Sequence, residues 1–333
     1  MTTATTAGRA SAFDLGAFTK KYAIVGILLL LVIALSIMTQ GTFLRPQNLI
    51  NVIVQVSAIG IIAVGMTFII IVEGIDLSVG SVIAVASVIS ASLAQLPTAS
   101  NLMYPGLEVP VIVAVLVGLA VGALAGAING FLITKFRIAP FIATLGMMTA
   151  ASGAASIYTN GRPVSTLNPG FNWLGQGNVL GLPVPIIVFA IVAVLGHVVL
   201  NFTRFGRHTY ALGGNLQAAR VSGIAIDKLK FTIFTVTGLL AGLAGIILSG
   251  RIGSGQPILG TGIELDVIAA TVIGGTSFTG GVGTIWGTVV GALIIGTINN
   301  GLDLMNVSPF WQKVVKGLII VLAIIIDELK NRK

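Results

Sequence analysis

Two polar segments interrupt an otherwise apolar chain and hold the side chains best suited to handle a polar solute. The first is Glu73-Gly74-Ile75-Asp76-Leu77-Ser78-Val79-Gly80-Ser81, and the second is Gly274-Gly275-Thr276-Ser277-Phe278-Thr279-Gly280-Gly281. Each sets hydroxyls beside glycines that release the backbone from helical geometry. Two readings stand for them. Each is a tight turn, with Asp76 or Ser78 capping the helix that follows. Alternatively, each is a break in a helix that dips into a membrane, where freed backbone groups and hydroxyls line an aqueous path. The second segment occupies the position in its half of the chain that the first occupies in the other, which gives the broken-helix reading equal standing.

On either reading the residues that could meet a solute are Asp76, Ser78, Ser81, Thr276 and Ser277. Four amides join them. Asn51 and Gln55 are four residues apart on one helical face, and Asn299 and Asn300 lie together late in another apolar stretch. Buried amides act as glue between helices or bond a polyhydroxylated solute, and spacing does not separate the two roles. Catalytic chemistry finds no support: His197 and His208 have no carboxylate or second histidine at metal-ligand spacing. The chain has no cysteine, so no thiolate site, thiol nucleophile or disulfide exists. No catalytic residue, metal site or bound cofactor is expected. Every acid falls in a loop or near the end of an apolar stretch, which argues against a carrier driven by an ion gradient and towards energy from a partner.

The elements that must position these groups follow from composition. Hydrophobic residues make up 55% of the 333 residues and charged residues only 8%, far below the roughly 25% of soluble domains. A water-soluble enzyme, a nucleic-acid binder and a disordered chain are excluded. The fold class expected is all-α and polytopic. Apolar stretches near spanning length predict about ten transmembrane helices, at 22–38, 49–72, 79–96, 111–134, 138–158, 184–200, 231–249, 265–280, 283–302 and 311–327. The eighth is the weakest because glycines interrupt it. This divides the chain into an N-terminal tail (1–21), one membrane domain (22–328) and a C-terminal tail (329–333). Residues 1–18 show no cleavable signal pattern.

An even number of spans puts both termini on one side. If that side is cytoplasmic, most lysines and arginines join it, leaving Arg45, Arg162, Arg251, Lys313 and Lys316 opposite. This follows the positive-inside rule and explains the net charge of +8 as a topology signal rather than a nucleic-acid surface. The chain also repeats itself: Val121-Gly122-Ala123-Leu124 returns as Val290-Gly291-Ala292-Leu293, and Ile138-Ala139-Pro140-Phe141 as Val307-Ser308-Pro309-Phe310, at one offset of 169 residues. Spans 2–5 then correspond to spans 7–10 with the opposite sense, the inverted repeat of transporters with alternating access. Stripes of small residues, Gly118, Gly122, Gly126 and Gly130 in the first copy, permit close helix crossings.

The longest connection on the side of the termini covers about 201–230. Within it 211–214 reads as a turn, Asn215 as an N-cap, 216–222 as a short helix and Gly223 as its left-handed stop. Such a helix, with bases mainly at its ends and no Trp/Leu-rich face, suits a groove in a soluble partner better than a lipid surface.

These residues resemble a known family. Gly65-Met66-Thr67 with Gly74–Ser81, Arg204-Phe205-Gly206 with Leu212-Gly213-Gly214-Asn215 and Ala218–Gly223, Glu264-Leu265-Asp266 through Ser277, Pro309-Phe310-Trp311, and Lys316-Gly317 stand in the order found in the membrane permease subunits of ribose/galactose-type monosaccharide importers of the ATP-binding-cassette class. The resemblance covers roughly residues 22 to 328. It implies a second permease copy, identical or closely related, a cytoplasmic ATPase that uses ATP and Mg, and a periplasmic sugar-binding protein, all at a bacterial inner membrane. Gly213, Gly214, Asn215, Ala218, Ala219, Arg220 and Gly223 would then seat on the ATPase. The chain carries no P-loop of its own. Arg45, Arg162 and Arg251 either steer acids of the binding protein or meet headgroups and cap helices. A self-sufficient ion-coupled sugar carrier and a permease for branched-chain amino acids are the competing readings.

Overall fold

The computed structural model describes residues 15–331; the tails expected at 1–21 and 329–333 lie partly outside this range. A helix occupies each of the ten apolar stretches: α1 (Leu15–Met38), α2 (Pro46–Ile71), α3 (Val79–Leu93), α4 (Val111–Lys135), α5 (Pro140–Thr159), α7 (Val184–Phe202), α10 (Ile226–Ile252), α11 (Ile263–Ile273), α12 (Ile285–Leu304) and α13 (Pro309–Asn331). Between them lie α6 (Pro169–Gln176), α8 (Arg204–Gly214) and α9 (Leu216–Val221). Strand structure among the described residues is confined to short pieces: β1 (Val164–Ser165), β2 (Asn178–Val179), β3 (Leu182–Pro183) and β4 (Ser254–Gly255). The protein is an all-α polytopic membrane protein. Among the described residues six helices, α2, α4, α5, α7, α10 and α12, are long and apolar enough to cross a bilayer.

Proline marks the start of several of these helices because its missing N–H is an orphan there in any case: Pro46, Pro140, Pro169 and Pro185 lie in the first turn. α2 is the axis of the molecule, buried almost continuously from Val56 to Ile71. α10 is the second central element. α4 lies along α10 while α12 lies along α2; α3 packs on α4 and α10, and α11 on α12 and α2. The α4–α10 crossing is a backbone-to-backbone contact. A side chain on Gly122 would meet the Gly238 carbonyl, and one on Gly238 would meet the Gly122 carbonyl. Gly118 and Gly126 continue that line, whereas Gly130 closes it against Phe231. Gly291 brings α12 against Ala270 of α11 in the same manner. In an apolar solvent such crossings are held by dispersion and by hydroxyl bonds between helices rather than by water exclusion. One of these joins Thr67 of α2 to Thr288 of α12 at 2.7 Å.

The eighth stretch departs from expectation. Its helix ends at Ile273 and residues 274–284 are irregular, instead of continuing to 280. Paired glycines end it, with Gly275 at φ +89°, a conformation closed to most side chains. α3 also stops at Leu93 rather than 96. At 11 and 15 residues, α11 and α3 extend about 16 Å and about 22 Å, short of a hydrocarbon core of about 30 Å.

The two ends of the bundle differ. At one end the β1–β4 pair, with Val164 opposite Gly255, ties the α5–α6 connection to the chain leaving α10, and α6 packs against the end of α10. At the other end sit α8 and α9.

Candidate functional site

The chain between α10 and α11 turns back into the bundle beside α3. A side chain on Gly255 would meet Ser87 and Ala91, whereas one on Gly260 would meet Gly80 and Ile83. The segment therefore descends from one end of α3 to the other, and α11 starts deep in the protein next to the first turn of α3. A side chain on Gly80 would strike the Glu264 carboxylate and the Gly260 carbonyl, so both sites demand glycine. Two short helices thus meet at their N-termini inside the bundle, where backbone N–H groups lack helical partners. A cavity of about 390 Å³ opens there, lined by Ser81, Thr149, Ser152, Thr261 and Glu264 among others. The Glu264 carboxylate accepts the Gly262 N–H at 3.1 Å.

Beyond Glu73, which is exposed, the segment 74–81 is buried or half-buried and is not a surface turn. Asp76 is 1% exposed and Ser78 likewise. The Ser78 hydroxyl donates to Asp76 Oδ1 at 2.6 Å, and the Ser78 N–H does so at 2.8 Å. Asn129 of α4 donates to the Ser78 hydroxyl at 2.9 Å. Ser78 is the residue before α3, yet its hydroxyl makes no capping bond; Asp76 meets the backbone instead. Ser81 donates to the Ser78 carbonyl and reaches the cavity. In the second break, Thr276 and Ser277 are buried, and Ser277 shares a bond with Thr279 at 2.9 Å.

The amides divide. Gln55 and Asn299 line a second cavity of about 260 Å³ between α2, α10, α11, α12 and α13, together with Arg251, Asp266, Asp303 and Lys316. Lys316 Nζ lies 2.9 Å from Asp266 Oδ2, and Asn299 Nδ2 donates to the same oxygen at 3.3 Å. Asn51 is exposed and stands apart from both cavities. Asn300 exchanges two bonds with Asn48, at 2.9 and 3.0 Å, which makes it interhelical glue. The acids stand where expected, in loops or near helix ends, but their burial was not expected. The fold buries Asp76 and Asp266, the latter at 6% exposure. Asp266 stands in the first turn of α11, where the helix dipole favours a carboxylate. Sequence reading passed over Asp266, Lys316, Glu264 and Asn129 as site residues. Glu264, Asp266 and Lys316 stand in segments that carry the family resemblance, but no local signature marks them, or Asn129, as site residues.

At the opposite end the connection 201–230 forms two helices, not a turn and one helix. Thr203 caps α8, which runs through 211–214; Asn215 then caps α9 by accepting the Ala218 N–H at 2.9 Å. Gly223, at φ +79°, ends it as expected. Gly214, Asn215, Ala218, Arg220 and Gly223 are exposed, and only Ala219 of α9 is buried. Leu216 and Val221 stand out from the surface at 41% and 89% exposure. Gly213 faces inward: a side chain there would strike the Ile71 carbonyl, the last of α2, and the Gly281 amide. That amide donates to the same Ile71 carbonyl at 2.9 Å. Tyr210 of α8 donates to the Gly283 carbonyl at 2.7 Å. The C-terminal half of α8 is therefore wedged between the end of α2, which leads into the first break, and the second break.

Of the three arginines, Arg45 and Arg162 are exposed, whereas Arg251 is half-buried at the second cavity. No group of His, Cys, Asp or Glu able to hold a metal ion occurs among the described residues.

A polytopic apolar bundle with two breaks in its helices, both touched by one surface helix, is an architecture that membrane transport permeases use. Comparison with known proteins specifies the class further. Residues 48–324 match the family model described as "Branched-chain amino acid transport system / permease component", and the chain belongs to that family. It is 49% identical over 306 residues to the ribose import permease protein RbsC of Bacillus subtilis, covering 91% of each chain. It is 44% identical to RbsC of Escherichia coli K12 over 92% of this chain and 93% of that one. The galactose/methyl galactoside import permease protein MglC of Escherichia coli K12 is 40% identical over 91% of this chain and 93% of that one. No solved structure matches the chain.

Proposed function

We propose that this protein is the permease subunit of an ATP-driven importer that carries a monosaccharide, ribose first and galactose or another pentose or hexose next, across a bacterial inner membrane. The observation that carries this reading is the 49% identity to a ribose import permease over nine-tenths of both chains. The family model's own description names branched-chain amino acids, so the choice of sugar rests on the relatives and on the hydroxyl- and amide-rich interior.

The geometry supports a working arrangement. Both termini face the cytoplasm, which sets α8 and α9 against a separate ATPase that binds ATP and Mg. The end that holds α6 and the β1–β4 pair, with Arg45 and Arg162 exposed, faces a periplasmic sugar-binding protein. Two permease copies, identical or closely related, enclose the pathway between them. Closure of the ATPase dimer pulls on α9 and α8. Because Gly213 and Tyr210 of α8 touch the ends of both breaks, that pull bears directly on 73–78 and 274–284. The irregular segments are the parts of the bundle with the fewest backbone bonds to break, so they yield first. Spans 2–5 and 7–10 rock against one another as inverted repeats. The crosswise packing of α4 on α10 and α12 on α2 supports that pairing.

The test is co-purification with the ATPase subunit and measurement of ATP hydrolysis in nanodiscs. The chain alone should be silent, and the complex should respond to binding protein loaded with ribose. A response to a binding protein loaded with leucine, and none to sugars, would favour the amino-acid reading.

A further inference from the structure

We propose that Asp266, Asn299 and Lys316 form a subsite for a neutral polyhydroxylated solute, with Gln55 and Gln312 at its edge. This rests on the sugar-permease reading and gives it a place in the molecule.

Three observations carry it. First, Asn299 is 5% exposed, lines the cavity, and its Oδ1 has no hydrogen-bond partner; its Nδ2 is held by Asp266, which fixes which atom is which. A buried carbonyl oxygen without a donor is rare and costly, and a solute hydroxyl supplies the donor. Second, the lining carries two cations, Arg251 and Lys316, and two anions, Asp266 and Asp303, so an ion of either sign gains nothing from the net charge. Asp266 retains lone pairs for solute hydroxyls, and Lys316 has hydrogens beyond the one it gives Asp266; Gln312, whose NH2 is held by Asp303 and the Val307 carbonyl, offers its Oε1 as an acceptor. Such a mixed lining suits a molecule whose every polar group both donates and accepts. Third, the volume of about 260 Å³ lies just under the range of drug-sized pockets, about 300 Å³ and above, which suits one small sugar ring. Lys316 and Asp266 join α13 to α11 across the cavity, so a solute that shares their bonds loosens α11, the helix that leads into the second break.

The test uses the assembled complex of permease, ATPase and binding protein in liposomes. Ribose carried and ATP hydrolysed are both measured, for the native chain, for Asn299→Leu, and for the double variant Asp266→Asn/Lys316→Met. The proposal expects ribose carried per ATP to fall about tenfold in each, the loss of roughly one well-made hydrogen bond to the solute. A merely structural role would lower both quantities together and leave their ratio fixed, and that result would overturn the subsite. If Asn299→Leu does not assemble, Asn299→Ala, which lacks the acceptor and adds no bulk, is read in the same way. Failure of the native complex to carry any monosaccharide would instead overturn the functional reading itself, so the two failures are distinct.

Discussion

The hydroxyl of Tyr210 donates to the main-chain carbonyl of Gly283 at 2.7 Å, and this bond ties the surface helix α8 to the second break in the bundle. Replacing Tyr210 by Phe removes it and leaves the ring in place. Stability should fall by about 1 kcal/mol, the usual worth of one such bond. Transport per ATP should fall more steeply than ATP hydrolysis, since the link and not the motor is damaged. Equal losses in both would show that the bond serves folding alone.

The same bond has a defined pH window. Burial raises the Tyr210 hydroxyl above its ordinary value. A raised folded-state value means that its contribution is complete below the unfolded value, about 10, and is lost as pH climbs through the folded one. The difference in thermal midpoint between the native chain and Tyr210→Phe should stay constant from about pH 6 to pH 9. A difference that fades within that interval would contradict the assignment.

Gly213 and its neighbour Gly214 give a contrast within one helix turn. An added methyl at Gly213 meets the Ile71 carbonyl and the Gly281 amide, both main chain and unable to swing aside, whereas at Gly214 it meets open space. Gly213→Ala should destabilise by roughly 1–3 kcal/mol, as overpacking does, and Gly214→Ala should be neutral or slightly stabilising. Thermal unfolding in detergent measures both. Equal effects would mean that α8 does not sit against the two breaks.

Gly122 offers the parallel test for the bundle itself. Gly122→Ala forces α4 away from the Gly238 carbonyl of α10 and should cost roughly 1–3 kcal/mol, whereas Gly146→Ala on α5, with nothing nearby, should be tolerated. The yield of monodisperse protein after extraction reports the difference.

Much of this fold was legible in the sequence, because an apolar run of spanning length has few alternatives to a helix. Asn215 and Gly223 were equally legible, since a cap and a left-handed stop are local matters. The extent of α11 was not: paired glycines at 274–275 and 280–281 are compatible with a tolerated weakness or with a full break, and only packing decides. The burial of Asp266 was hidden for a different reason. It is enclosed by Lys316, 50 residues on, and by side chains of α2, α10 and α12, none of which has a local signature. Asn299 and Asn300 show the limit most plainly. Adjacent in sequence and identical in type, they point to different partners, Asp266 and Asn48. One lines a cavity and the other binds helices together.

The central claim, that this chain moves a monosaccharide at the expense of ATP hydrolysed by a partner, is tested most directly by uptake into sealed liposomes. Permease and ATPase are reconstituted together, binding protein and labelled ribose are supplied on the side of α6 and the β1–β4 pair, and ATP is enclosed within. Accumulation that requires ATP, requires the binding protein and persists when an ionophore collapses every ion gradient is the predicted result. Uptake by the chain alone, driven by an ion gradient and abolished by the ionophore, would contradict it and assign the buried Asp76 and Asp266 to ion coupling instead.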